Sequence, residues 1–368
     1  MNLAEVWSGR RVLLTGHTGF KGAWLTLYLS RLGSRVTGFA RAAEPGSMFE
    51  TLELHTLCAH REGEVTDLAA LDAALEAADP EVVIHFAAQS LVRDGYAAPV
   101  ETFESNVMGS VKLLDAIRRR GRPCAVVMVT SDKCYAQRAG AYAFREDDAM
   151  GGDDPYSASK GAAELVVHAY RESFFLPARA AEHGVYIASA RAGNVIGGGD
   201  HARHRIVPDL VRARARGEPV TLRSPNAVRP WQHVLDPLTG YLALASALLG
   251  RHRLSPEAAS QGWNFGPLPT QCHTVLDLVS AFAAPFDGLS WSVESAQPSM
   301  PEAQQLRLSI DKTVSRLGWR PQWHFEETVG RTAQWYEAAA QGASPQALRG
   351  LSFAQIDDMI TTVMSEAL

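Results

Sequence analysis

Gly16, Gly19 and Gly22, each three residues from the next, constrain this chain more than any other feature. Arg11-Val12-Leu13-Leu14 runs into them, a short apolar stretch of the kind that makes a buried strand. Ala23-Trp24-Leu25-Thr26-Leu27-Tyr28-Leu29 follows, with apolar residues on a helical face. The glycines therefore occupy a strand-to-helix turn. There a phosphate can approach the backbone where a Cβ would block it, and the free N–H groups of the helix start bind its charge. The turn reads as a dinucleotide pyrophosphate site, with Gly16, Thr18, Gly19, Phe20 and Gly22 in contact. A plain connector is the other reading of a glycine-rich turn.

The 368 residues are 46% hydrophobic and 20% charged, which allows one large domain or two modest ones. A net charge of −5 without a basic stripe argues against nucleic acid as a partner. Cys58, Cys124, Cys134 and Cys272 show neither a CxxC pair nor regular spacing. They read as reduced thiols, with no metal site and no disulfide framework. Residues 1–10 lack the apolar core of a signal peptide, and no apolar run nears the ~20 residues of a membrane span. A cytoplasmic protein with no membrane partner is expected.

Strand and helix patterns alternate through the first half. Arg35-Val36-Thr37-Gly38-Phe39-Ala40 reads as a second strand. A Rossmann fold usually places an acid on the adenosine ribose at its end, yet Arg41-Ala42-Ala43 follows here. Arg41 suits a 2′-phosphate, or is a solvated loop residue, so NAD and NADP both stay open. Asp67 closes a third strand, where it can accept from the adenine amino group or cap the next helix. Val82 to Gln89 is an apolar strand ending in small residues, with Ala87 against the cofactor. His85 reads as a core histidine and Asn106 as a structural amide. Ala125 to Thr130 is a strand ending in Ser131-Asp132-Lys133, and open α/β sheets bind ligands at such carboxyl ends. Tyr186 to Ile196 is read as another strand. Beyond it, Pro208, Pro219, Pro225 and Pro230 break the alternation. The expected architecture is α/β, with a doubly wound parallel sheet and a smaller C-terminal mixed α/β substrate lobe. The NAD-binding domain spans 1–195, with some later chain returning to it. Residues 196–368 supply the substrate lobe and C-terminal helices, and 344–368 reads as a helix with an apolar face.

Tyr156 and Lys160 stand four apart on a helix and share a face. A phenol is a poor base at neutral pH, but a nearby ammonium and a nicotinamide cation stabilise its phenolate. Tyr156 then takes a proton from a sugar hydroxyl as hydride leaves the same carbon, with Ser131 bonded to that hydroxyl. Oxidation needs no more than Ser131, Tyr156 and Lys160. Asp132 and Lys133 beside them point to further proton transfers.

Several longer strings carry a resemblance. They are Thr15 to Gly22, Val129 to Tyr135, Asp154 to Gly161, Arg191 to Asp200, Arg229 to Val234 and Trp263 to Pro267. In them the chain resembles the CDP-glucose 4,6-dehydratases, nucleotide-sugar dehydratases of the extended short-chain dehydrogenase/reductase superfamily. The resemblance implies a redox-neutral reaction with NAD. It implies that Tyr156 accepts the C4 hydroxyl proton, Asp132 protonates the departing C6 hydroxyl and Lys133 is the C5 base. Pairing with Asp132 is the other reading of Lys133. The resemblance also places Asn194 near the sugar diphosphate, with Arg205 and Arg229 on its phosphates; a surface ion pair is the alternative for either arginine. A homodimer or homotetramer is implied, through the faces of Val107–Ile117 and Gly161–Tyr170.

Three stretches depart from the family pattern: 136–146 lacks tryptophans, 300–303 lacks a His before Glu-Ala, and 308–310 reads Leu-Ser-Ile. The catalytic centre is thus intact while the substrate rim is altered. An epimerase, a reductase or a dehydratase of another nucleotide sugar is the competing function. A non-catalytic scaffold is the third class.

Overall fold

The computed structural model describes residues 3–138, 140, 142–268, 271, 273–293 and 307–366. Cys272 and the departure at 300–303 lie outside the described residues. The frame is a seven-stranded sheet. Its strands are β1 (Arg11–Thr15), β2 (Arg35–Ala40), β3 (Ala59–Glu62), β4 (Val82–His85), β5 (Cys124–Val129), β6 (Val185–Ala192) and β7 (Gly262–Phe265). They lie in the order β7-β6-β5-β4-β1-β2-β3, all parallel. The order reverses between β1 and β4, which opens a crevice at the carboxyl ends there.

The helices that cover the sheet are α1 (Phe20–Arg31), α2 (Leu68–Ala78), α3 (Gly109–Arg120), α4 (Pro155–Ser173), α5 (Ile206–Arg216), α6 (Leu235–Leu248), α7 (Phe325–Ala340) and α8 (Pro345–Glu366). Alternate residues of one strand feed opposite cores. Val12 and Leu14 pack with Trp24 of α1 and Leu238 of α6, whereas Leu13 packs with Leu71 of α2, Leu113 of α3 and Val167 of α4. Burial on both faces explains the unbroken apolar runs of β4 and β5. Each buried aliphatic side chain contributes roughly 1.5–3 kcal/mol.

Two sequence readings change. The strand expected over 186–196 ends at Ala192, because the backbone at Gly193 swings against Pro230 and Asp132. Val195–Ile196 pairs instead with Gln232–His233, outside the main sheet. The third strand is Ala59-His60-Arg61-Glu62, an edge strand without an apolar face, and it ends well before Asp67.

Beyond residue 195 the chain returns to the main sheet as β7, with α6 packed beneath β5 and β6. α8 matches the expected helix and buries Ile356 and Met359. A loop over 197–205 is held at several points. The Trp24 indole donates to the Gly198 carbonyl at 2.9 Å, and the Tyr336 hydroxyl donates to the Asp200 carbonyl at 2.6 Å. Trp335 presses on Gly198 and donates to Ser352 of α8 at 3.1 Å. A Cβ on Gly198 would stand 2.0 Å from the Trp335 ring. Gly198→Ala is therefore expected to cost about 1–3 kcal/mol by overpacking. Its thermal unfolding midpoint should fall by several degrees, and an unchanged midpoint would refute this anchoring.

Candidate active site

The cofactor side is built from the ends of β1 and β4. Gly16 has φ +74°, which favours glycine, and a Cβ there would stand 2.7 Å from the Ala87 nitrogen. At Gly22 a Cβ would meet the Gly16 carbonyl at 2.2 Å. Both glycines serve close backbone packing. Gly19 differs, because its Cβ would meet nothing nearer than 3.4 Å. It is the N-cap of α1 and no side chain caps that helix. The open side of the turn and its uncapped amides suit an anion.

Thr15 ties the two strand ends together. Its hydroxyl accepts from the Ala87 N–H at 3.3 Å and lies 2.7 Å from His85 Nδ1. Burial, with Lys160 nearby, pushes His85 down to about 3, so the ring is neutral. Asn106 is buried and bonds Gln89 on both its N–H and C=O, and also Ser159 of α4. Arg41 is exposed at the end of β2, where its carbonyl accepts from Thr18 at 3.2 Å. Asp67 caps α2 by accepting from the Ala70 N–H at 3.0 Å.

The residues expected to be catalytic converge at the carboxyl end of β5. Ser131, Asp132, Tyr156 and Lys160 are all less than 9% exposed. Asp154 caps α4 through the Ser157 N–H, with Pro155 in the first turn, and so sets where Tyr156 and Lys160 point. Ser131 begins a single 3₁₀ turn, Asp132–Cys134. Its hydroxyl donates to Asp132 Oδ1 at 2.9 Å and accepts from the Lys133 N–H at 3.2 Å. Burial raises the Asp132 pKa, against the pull of Lys133, Ser131, Lys21 and Arg229. Oδ2 of Asp132 is buried without a hydrogen-bond partner, beside Gly193. Both features favour the protonated acid over the carboxylate.

Tyr156 is pushed up to about 12 by burial; Ser131 and Arg205 pull it back. Among the cations around it Arg205 weighs most, rather than Lys160. The protein alone disfavours the phenolate, and an oxidised nicotinamide bound beside it would add stabilising positive charge. Lys160 is lowered to about 8 by burial, opposed by Glu164 and Cys134.

The substrate side follows. Arg205 donates to Asp200 at 3.0 Å and to Ser90 at 3.3 Å, and faces Tyr156 and Lys21. Arg229 bears on Asp132, and the Asn194 carbonyl accepts from Gln232. His233 is buried against Trp24 and Trp323, so it packs.

Sequence reasoning missed Lys21. It was read only as part of the glycine turn, yet burial and the nearby Arg205 lower it to about 8, with Asp132 and Lys160 close by. It also missed His17, whose ring lies over Gly38 and 2.6 Å from His60. Glu164 was missed as well, although it stands one helical turn beyond Lys160.

Comparison with known proteins fits this geometry. Residues 12–252 match the model of the NAD dependent epimerase/dehydratase family. A CDP-glucose 4,6-dehydratase of Salmonella typhimurium is 45% identical over 91% of this chain and 93% of that protein. The chain belongs to the NAD-dependent epimerase/dehydratase family. A dTDP-glucose 4,6-dehydratase of Xanthomonas campestris is 25% identical over 88% of this chain and 92% of its own length. The UDP-glucose 4-epimerase of Thermus thermophilus, solved in complex with NAD, superimposes with a TM-score of 0.75 at 25% identity, covering 89% and 99%. Family membership makes NAD the cofactor.

Two measurements check the cofactor site. Gly19→Ala should leave the unfolding midpoint within a degree or two while NAD affinity drops about tenfold or more, since a methyl group intrudes on the anion and not on the fold. Equal losses in both would contradict the assignment. Lys21 and Lys160, each held near 8, should regain their protons when anions arrive. Titration calorimetry at pH 8.5 in buffers of different ionisation enthalpy should therefore register proton uptake on binding of ADP-ribose, which carries the diphosphate without the nicotinamide cation. Proton release would reverse the sign of this argument.

Proposed function

We propose that this chain is a nucleotide-sugar 4,6-dehydratase that converts CDP-D-glucose to CDP-4-dehydro-6-deoxy-D-glucose. Asp132 carries the reading. A buried acid with a raised pKa and an unpartnered oxygen, next to a Ser-Tyr-Lys oxidation set, has a use in expelling water and none in a simple redox step. The 45% identical relative bears the name of this activity.

Bound NAD supplies a hydride acceptor that later returns the hydride, so the reaction consumes no oxidant. Tyr156 takes the C4 hydroxyl proton while Ser131 holds the same oxygen. The C4 ketone that results acidifies the C5 hydrogen. Lys133 takes that proton, and Asp132 gives its own to the C6 hydroxyl, which leaves as water. Lys133 then returns a proton to C5. Tyr156 ends with one extra proton and Asp132 lacks one, so exchange with solvent resets both. Lys21, Arg205, Arg229 and Asn194 hold the diphosphates.

A subunit pair also fits. The apolar residues of 107–117 are mostly in the core: Leu113, Leu114, Ala116 and Ile117 are buried. Val100, Phe103 and Met108 instead lie exposed ahead of α3, and Leu165 is 59% exposed on α4. These side chains are what a homodimer would cover. Among the described residues no helix is long and apolar enough to cross a membrane. We take the cytoplasm as its compartment.

Incubation with CDP-glucose tests the reaction. A 4-keto product that absorbs in alkali, with no net reduced nicotinamide, is expected. A C4 epimer or steady consumption of reduced cofactor points to an epimerase or a reductase. Lys133→Ala should still give reduced nicotinamide but stop deuterium entry at C5 in D2O. Unimpaired exchange would remove Lys133 from the mechanism. The elimination needs protonated Asp132, so its rate should fall as pH rises through the raised pKa. Asp132→Asn should be slow at every pH and lack that limb.

A further inference from the structure

Beneath the catalytic turn lies an ion pair that the reaction above does not use. Arg191 of β6 and Glu164 of α4 meet at 2.7 Å, with side chains 6% and 4% exposed. The pair reaches both ends of the turn. At the near end, Glu164 Oε1 accepts from the Thr130 hydroxyl, one residue before Ser131. Its other oxygen accepts from Ser189 at 2.7 Å. At the far end, Arg191 Nη1 donates to the Tyr135 hydroxyl at 2.8 Å and to the Glu146 carbonyl at 3.0 Å. The Tyr135 hydroxyl passes its own proton to Asn264 Oδ1 at 2.6 Å. Tyr135 has no exposed surface and stacks on Phe144. Glu164 also shares its helix with Tyr156 and Lys160.

Resting on the proposed dehydratase reading, we propose that the Glu164–Arg191 pair positions the two halves of the catalytic turn separately. Through Thr130 it sets Ser131 for oxidation at C4, and through Tyr135 it sets Lys133 for proton removal at C5. All of these are positioning residues, and none touches the sugar. The main chain around Tyr135 has its own supports, because the Cys134 carbonyl accepts from Gly151 and the Ala136 N–H donates to Ala149. Loss of the phenol oxygen therefore moves the lysine without unravelling the turn. Displacement of a reacting group by a fraction of an ångström is enough to slow a step about tenfold.

Single-turnover reactions of the NAD-loaded enzyme with CDP-glucose separate the two ends. Tyr135→Phe should form reduced nicotinamide at close to the wild-type rate. Water loss and C5 deuterium uptake should then lag about tenfold, so the reduced form accumulates. Thr130→Val should show the opposite pattern, slow reduction with no accumulation. Arg191→Lys keeps a charge beside Glu164 but loses the fork that reaches Tyr135, and should behave like Tyr135→Phe. Unfolding midpoints of all three are recorded alongside, so a variant that fails to fold is recognised and the others decide. Equal slowing of both steps in each variant, or of neither, overturns the proposal. Absence of a 4-keto product from the wild type would instead overturn the dehydratase reading.

Discussion

One buried carboxylate stands where the catalytic helix, the catalytic strand and their neighbour meet. Glu164 would be driven to neutrality by its burial. The Arg191 guanidinium, with the Thr130 and Ser189 hydroxyls, instead holds its pKa below the usual value. A buried pair adds little net stability over apolar packing, but removal of one partner costs about 3–5 kcal/mol by stranding the other charge. α4, β5 and β6 are thus locked in one mutual placement, and the geometry of Tyr156, Lys160 and Ser131 inherits it.

Electrostatics in the crevice follow from poor hydration. Lys21, Lys160 and Arg205 crowd around Asp132 and Tyr156, and burial weakens each lysine's hold on its proton. A site in this condition is incomplete without anions. Two diphosphates, one from NAD and one from a nucleotide sugar, would supply the missing negative charge. The same desolvation favours the protonated form of Asp132. One physical cause therefore prepares both the anion-binding cations and the acid.

Much of the frame was legible because its signals are local. The glycine turn, the apolar runs of β4 and β5 and the Tyr156–Lys160 spacing all act within a few residues. β3 was illegible because an edge strand at 59–62 needs no apolar face. Lys21 went unread because a charged residue in a glycine turn looks solvated in the sequence, whereas the fold brings it near Arg205, Asp132 and Lys160. Glu164 and Arg191 lie 27 positions apart, and no pattern links them before the sheet does. Two of the departures from the family pattern prove to be one unit. The strands Ala143–Phe144 and Arg307–Leu308 pair, and Asn264 donates to the carbonyls of both Phe144 and Ser309. The changed stretches share the Asn264 amide with Tyr135.

The chain from Ser352 through Trp335 to Gly198 has a consequence for biosynthesis. Domains tend to form from the N-terminus as a chain emerges. The pyrophosphate turn needs only β1, α1, β2 and β4, all complete by His85. The loop over 197–205 lacks its Trp335 and Ser352 seat until α7 and α8 have left the ribosome. A nascent chain thus forms its glycine turn long before that loop can be anchored.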